Sequence, residues 1–323
     1  MHHDTTVVLH NRREQERRPR SSALALEASS DARELRPAAS QTRCLIGGEH
    51  ALPWNMATGR YTHAVVSRIP LSLRTRGEID LELARRQHEA YVRLLRELGL
   101  DVIELPPDES LPECVFVEDT AVICNGIALI ARPGAPHREK EVETIRVVLK
   151  KELDLPIIEI QDPNAKLDGG DVLFTGQEFF VGLSEWTNEG GARAVASAFP
   201  EYPCTPIKIP SPRKLKSYVT MGGPCLLCVG AGKECQEVLK RMEREATYSY
   251  QTITLPEDEA ANVLYLNGTL VHRSEGEIPK SYQVFCDKID SRRSLEITEL
   301  AKTSCGLTSS CLLVRRLRIC RNL

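Results

Sequence analysis

The sequence of 323 residues has no uninterrupted apolar run of about 18 residues, the length a helix needs to cross a bilayer, which argues against a membrane-spanning helix. An excess of charge of one sign is also lacking: 42 Lys and Arg against 45 Asp and Glu leave a net charge of -3. So balanced a surface attracts neither nucleic acid nor an anionic membrane. There is no histidine between Arg138 and Val271, which takes the favoured ligand of zinc out of the middle of the chain. No apolar stretch of the secretory kind stands near the start. The 11 cysteines are an odd number without paired spacing, in a chain too long to need disulfide staples. Free thiols in the reducing cytoplasm are the expectation.

What is present is a globular composition, 27% charged and 41% apolar. Residues 1–60 depart from it. The charged run Arg12-Arg13-Glu14-Gln15-Glu16-Arg17-Arg18-Pro19-Arg20 and the Ala/Ser-rich segment to Ser40 have little apolar periodicity. Such a composition buries too little surface to offset the entropy of ordering, so a disordered extension is expected. Glu14, Glu16, Glu27, Asp31 and Glu34 argue against a transit peptide, which avoids acids. One α/β domain is expected over 61–315, with a tail over 316–323.

That domain reads as a repeat. Tyr61 to Pro70 is an apolar run closed by proline, and Leu81, Ala84, His88, Tyr91, Leu94, Leu95 and Leu98 follow at helical spacing up to Gly99. A strand over Leu100–Leu105 ends at Pro106-Pro107. From Val117 a hairpin, a helix over Glu139–Leu153 and a strand over Pro156–Ile160 form one unit. The next opens at Asp168, with hairpin strands Val172–Phe174 and Phe179–Leu183, a helix through Ala192–Ala198 and a strand at Thr205–Ile209. A third follows Tyr218, with a helix over Glu234–Arg244 and a strand at Thr252–Leu255. A fourth follows Ala261, with a helix over Lys280–Ile289 and a strand at Leu295–Ile297. Cys305–Val314 reads as a last strand that completes a fifth unit with Tyr61–Leu105. Repeats of this length mean a propeller, a solenoid or a closed ring. Half-units at both ends favour a ring closed by joining the termini, with Glu118, Asp168, Val219 and Glu259 at the loop starts converging on a central pocket.

Carboxylates crowd that mouth: Glu113, Glu118, Asp119, Asp168 and Asp171. Like charges gathered together bind a metal or receive an organic cation. The missing histidines favour the cation, a guanidinium or an ammonium, with no metal and no cofactor. Cys311, where a loop becomes the last strand, is the candidate nucleophile, because a thiolate attacks an electron-poor amidinium carbon. The alternative for a lone cysteine in an apolar run is core packing.

The stretches Glu104–Asp119 (ELPPDESLPECVFVED), Ala131–Pro136 (ARPGAP), Leu167–Gly176 (LDGGDVLFTG) and Glu178–Ser184 (EFFVGLS) resemble the dimethylarginine dimethylaminohydrolases. The resemblance implies a five-bladed α/β propeller of the amidinotransferase and arginine deiminase group, called penteins. It implies that a cysteine attacks the guanidino carbon of an N-methylated arginine, giving citrulline and a methylamine and so favouring nitric oxide synthesis. On that resemblance Cys311 is the nucleophile, Glu118 and Asp119 hold the guanidinium, Arg132 clamps the substrate carboxylate, and Asp168 orients the catalytic histidine. Glu113 stands for an aspartate, and Thr303 completes the expected substrate-binding set. At the histidine position this chain has Lys214, and where a second carboxylate-binding arginine is expected it has Trp186. An unperturbed lysine stays protonated near neutral pH and is a poor base. Placed beside Asp168 and Glu118 it is expected to remain charged, to repel the substrate cation and to lower the pKa of Cys311. The loop Ser72–Glu78 is shorter than the lid of the family. Two readings follow: a hydrolase of methylated arginines, monomeric or homodimeric, or a silent relative that binds an arginine-like ligand or a protein partner.

Overall fold

The computed structural model describes residues 60–210 and 212–316, so the expectations for 1–59 and 317–323 lie outside the described residues. Alternating apolar runs form fifteen short strands among them, of which β1 (His63–Ser67) and β2 (Asp101–Leu105) flank the helix α1 (Leu81–Glu97). Asp80 caps that helix by accepting from the backbone N–H of Glu82 and Leu83, which satisfies donors the helix itself cannot. The next unit is β3 (Ala121–Cys124), β4 (Ile127–Ile130), α2 (Glu141–Lys151) and β5 (Ile157–Glu159). It is followed by β6 (Val172–Phe174), β7 (Phe179–Leu183), α3 (Glu189–Ala198) and β8 (Cys204–Lys208). Then come β9 (Val219–Gly223), β10 (Leu226–Gly230), α4 (Lys233–Glu245) and β11 (Gln251–Leu255). The last are β12 (Leu264–Leu266), β13 (Thr269–Arg273), α5 (Pro279–Lys288) and β14 (Arg292–Leu295), then α6 (Thr298–Ala301) and β15 (Leu312–Val314).

The strands make five three-stranded sheets, ordered β3-β4-β5, β6-β7-β8, β9-β10-β11, β12-β13-β14 and β15-β1-β2. In each, the first strand is antiparallel to the second and the third is parallel to it, reached through a helix. The fifth sheet takes β15 from one end of the domain and β1 and β2 from the other, with Val65 opposite Leu312 and His63 opposite Val314. Apolar cores fill the spaces between consecutive sheets. One joins Val65 and Val314 to Ala128, Ile130 and Leu149; the next joins Leu129 to Phe179 and Val195. Two more follow round the ring, and the circle closes where Leu264 and Val271 pack on Ala64, Val66 and Leu95. The expected ring is therefore present as a five-bladed α/β propeller.

The expected strand Leu295–Ile297 lies three residues earlier, as β14, whose alternating pattern is masked by exposure of Arg293 and Ser294. Cys305–Val314 is not one strand. A 3₁₀ turn occupies Leu307–Ser310, because Gly306 N–H donates to Ser309 Oγ and Thr308 N–H to Asn262 Oδ1, and only Leu312–Val314 pairs.

Candidate functional site

Each blade enters its innermost strand through a 3₁₀ turn: Val117–Thr120, Gly169–Asp171, Leu215–Ser217, Asp258–Ala261 and Leu307–Ser310. Side chains of these turns sew a hub together. Lys216 Nζ donates to Glu118 Oε1 at 2.6 Å and to the Gly169 carbonyl at 3.2 Å. Thr308 Oγ1 donates to Glu118 Oε2 at 2.9 Å, and Asn262 Nδ2 donates to the Lys216 carbonyl and to Thr308 Oγ1. The turns can approach only because Gly169 has no side chain: a Cβ there would lie 2.0 Å from the Glu118 carbonyl oxygen. Of the four expected loop starts, Glu118 reaches the hub, and Asp168 lies beside it, paired with Lys214. Val219 is already strand, and Asn262 takes the place expected for Glu259.

Beside the hub lies a layer of buried ion pairs. Arg138 reaches Asp119 at 2.5 Å, Glu141 at 2.7 Å and Glu113 at 3.4 Å, and donates to the Phe116 carbonyl. Lys214 Nζ lies 2.5 Å from Asp119 Oδ2 and 2.8 Å from Asp168 Oδ2. Glu113 also meets His137 at 2.9 Å and Arg76 at 3.3 Å. Burial alone would raise the Asp119 pKa, but Lys214 and Arg138 overcome it and hold the carboxyl well below the usual range. Asp168 is also buried, lies near the Asp119 charge and has Lys214 as its one ion-pair partner among the described residues, so its pKa rises. Burial works against the charge on Lys214, yet Asp119 and Asp168 raise its pKa further, so it is a firmly held ammonium and no proton acceptor. Asp171, fully buried, accepts from Leu215 N–H at 2.9 Å and Ser184 Oγ at 2.6 Å; burial pushes it up to about 7. It thus ties the Lys214 loop to the turn that carries Trp186, since Ser184 Oγ accepts from Trp186 N–H.

A cavity of about 440 Å³ runs from the hub between the innermost strands to the hairpin turns. Glu118, Lys216, Thr308 and Cys311 line its inner end, with Tyr61, Phe174, Met221 and Tyr265 among its walls. Cys311 is 4% exposed and packs with Tyr91, Leu307 and Leu264.

Cys311 lines the axial cavity, and Lys214 and Asp168 lie in the ion-pair layer beside the hub. Two expectations are corrected. Lys214 pairs with Asp119 and Asp168, and Lys216 is the lysine that pairs with Glu118. The Cys311 thiol is not lowered. Burial pushes it up to about 12, and the cation acting on it is Lys216 rather than Lys214. Arg132 donates to the Pro163 and Ile160 carbonyls at 3.2 and 3.3 Å, and Thr303 Oγ1 donates to the Leu300 carbonyl at 2.6 Å, so both are bonded to backbone. The indole N–H of Trp186 donates to the Pro212 carbonyl at 3.4 Å. Sequence reasoning missed Arg138, Lys216, Asn262 and Thr308. Arg138 was within reach, as it stands three residues before Glu141, a spacing that pairs charges on one helical face.

Five blades around a hub of paired carboxylates define the class, an α/β propeller of pentein architecture. The pattern of the family described as N,N dimethylarginine dimethylhydrolase, eukaryotic, matches residues 62–279. DDAH2 of Homo sapiens is 40% identical over 273 residues, 79% of this chain and 95% of the human one. The N(G),N(G)-dimethylarginine dimethylaminohydrolase of Pseudomonas aeruginosa is 38% identical over 117 residues, 36% of this chain and 46% of its own. A solved structure of a variant of the Pseudomonas aeruginosa protein, complexed with citrulline, superposes with a TM-score of 0.69 at 24% identity, covering 79% of this chain and 100% of that one. The chain belongs to the dimethylarginine dimethylaminohydrolase family, hydrolases of the C–N bonds of linear amidines.

Proposed function

We propose that this protein is an amidine hydrolase that converts asymmetrically N-methylated arginines to citrulline and a methylamine, in the cytoplasm, with the consequence of favouring nitric oxide synthesis. The observation that carries the reading is the gathering of carboxylates in a chain of this family: Asp119 and Asp168 share Lys214, Glu113 joins Asp119 through Arg138, and Glu118 and Asp119 both lie against Gly170. Carboxylates so gathered suit a delocalised cation, which they bind in fixed geometry. In the proposed reaction a cysteine sulfur, with Cys311 as candidate, forms a C–S bond to the guanidino carbon. The C–N bond to the methylated nitrogen breaks, and the amine leaves with a proton. Water then cleaves the C–S bond, giving citrulline and restoring the thiol. The thiol proton accounts for the proton the amine takes; Lys214, a firmly held ammonium between Asp119 and Asp168, neither takes a proton from sulfur or water nor gives one up.

The ion pairs of Lys214 favour a second reading, a weak or silent relative that retains the ring as a ligand-binding or interaction module. Purified protein incubated with asymmetric dimethylarginine and assayed for citrulline decides between them. The expected result is slow citrulline formation that is abolished in Cys311→Ser and rises by a factor of about 10² or more in Lys214→His, the usual worth of a general base. Activity that survives Cys311→Ser removes Cys311 as nucleophile. No citrulline from the wild type, together with a gain in Lys214→His, establishes the silent reading.

A further inference from the structure

The carboxylates at the centre are already matched by cations of the same chain. Glu113 pairs with Arg76, Asp119 and Glu141 with Arg138, Asp119 and Asp168 with Lys214, and Glu118 with Lys216. Five carboxylates therefore face four cations, and little net demand for an outside charge is left. Lys214 has a particular place among the four. Its ammonium bridges Asp119 and Asp168, at 2.5 and 2.8 Å, and so brings to Asp119 the charge that a guanidinium would bring. The neighbouring backbone makes room for it: a Cβ on Gly170 would lie 2.8 Å from Lys214 Cδ and 3.0 Å from Asp119 Oδ1. The Lys214 side chain is 23% exposed, against 6% for Asp119 and 2% for Asp168, so the lysine is the member of the group nearest to solvent.

We infer that Lys214 is a tethered cation that occupies Asp119, one of the two carboxylates read as guanidinium receptors, while anchored on Asp168, and so sets the ligand specificity of the site against cations. The inference rests on reading Asp119 as a guanidinium receptor. An incoming guanidinium must expel an ammonium that is held on its own chain, at an effective concentration on the order of millimolar or higher. Hydrolysis of a methylated arginine, where it occurs, first requires Lys214 to swing out, which raises KM.

The test is a binding measurement without turnover. Lys214→Ala leaves a hole with two unpaired carboxylates, whereas Lys214→Met fills the hole without a charge. Added methylguanidinium at 10 mM, against sodium chloride at the same concentration, is expected to raise the thermal midpoint of Lys214→Ala by about 2–5 °C, as binding to the native state does. Wild type and Lys214→Met are expected to move by less than about 1 °C by the same relation. A wild-type shift as large as that of Lys214→Ala overturns the inference, and so does a Lys214→Ala shift no larger than that of Lys214→Met. Should Lys214→Ala fail to fold, amine-selective labelling of the wild type read by mass spectrometry gives the answer. Labelling of Lys214 unchanged by 10 mM methylguanidinium supports the filled site, and acceleration at that concentration shows that the tethered ammonium does not hold its place against an outside cation and overturns it. Citrulline is read in neither arm, so failure here leaves the hydrolase reading standing, and an inactive wild type leaves this inference standing.

Discussion

Asp171 is a buried acid with no ion pair among the described residues, held by the backbone N–H of Leu215 and by Ser184 Oγ. Its carboxyl rises from 3.8 to about 7, so the folded protein keeps a proton there that the unfolded chain gives up. The stability it contributes is complete below the unfolded pKa near 4 and is lost as pH rises through 7, up to on the order of 4 kcal/mol in all. An asparagine in its place would accept from Leu215 equally well and cannot ionise. Asp171→Asn is therefore expected to become more stable than wild type as pH rises from 5 to 8, in urea unfolding at each pH. Buried His88, lowered to about 4, has a slope of the opposite sign that both proteins share, so the comparison isolates Asp171. An unchanged difference across that range would show that Asp171 does not titrate. At this scale the sequence was only partly legible. The acids could be named because Asp and Gly in close succession mark a turn with a carboxylate at its mouth. Their lysine partners could not, because Lys214 and Lys216 reach Asp119 and Glu118 across 95 and 98 residues of chain, a closure that only the ring supplies.

At the scale of the element, the helices lay close to where periodicity puts them. Leu81–Glu97 differs from the apolar stripe Leu81–Leu98 by one residue, and Lys233–Glu245 from Glu234–Arg244 by one at each end. The 3₁₀ turns had no such signal, since three or four residues are too few to show a period. They are nevertheless what sets the hub, and Gly169 tests this. A methyl group at Gly169 would meet the Glu118 carbonyl oxygen at 2.0 Å and the Ala121 carbonyl oxygen at 3.1 Å, both backbone atoms that cannot turn aside. Gly169→Ala is expected to cost at least about 3 kcal/mol, above the common range for a point substitution, and to part Lys216 from the Gly169 carbonyl. Gly77→Ala, with nothing within 4 Å of the added Cβ, is expected to change stability by no more than about 0.5 kcal/mol. Denaturant midpoints at constant m give both numbers. Equal costs would mean that the close approach of the Gly169 and Val117–Thr120 turns does not stabilise the fold.

At the largest scale the described domain is a circle of five interfaces, and this separates it from an open array. In a solenoid each unit touches only its neighbours, so a terminal unit can fray alone. Here β15 pairs with β1, and Val314 and Leu312 pack in the core that the fifth blade shares with Ala128, Ile130 and Leu149 of the first full unit. The other face of the same blade packs through Ala64, Val66 and Cys311 on Leu264 and Val271. Opening the fifth blade therefore exposes two cores and unties the hub, because Thr308, four residues before β15, bonds both Glu118 and Asn262. Val314 is fully buried, and Val314→Asp puts an unpaired carboxyl into that closure, at an expected cost of about 3 kcal/mol or more. The loss should spread round the ring. Native-state hydrogen exchange is expected to show reduced protection in all five sheets by similar amounts, since each blade depends on two neighbours. Protection lost in β1, β2 and β15 alone would mean that the blades fold as independent units and that the ring is closed by contact without being cooperative.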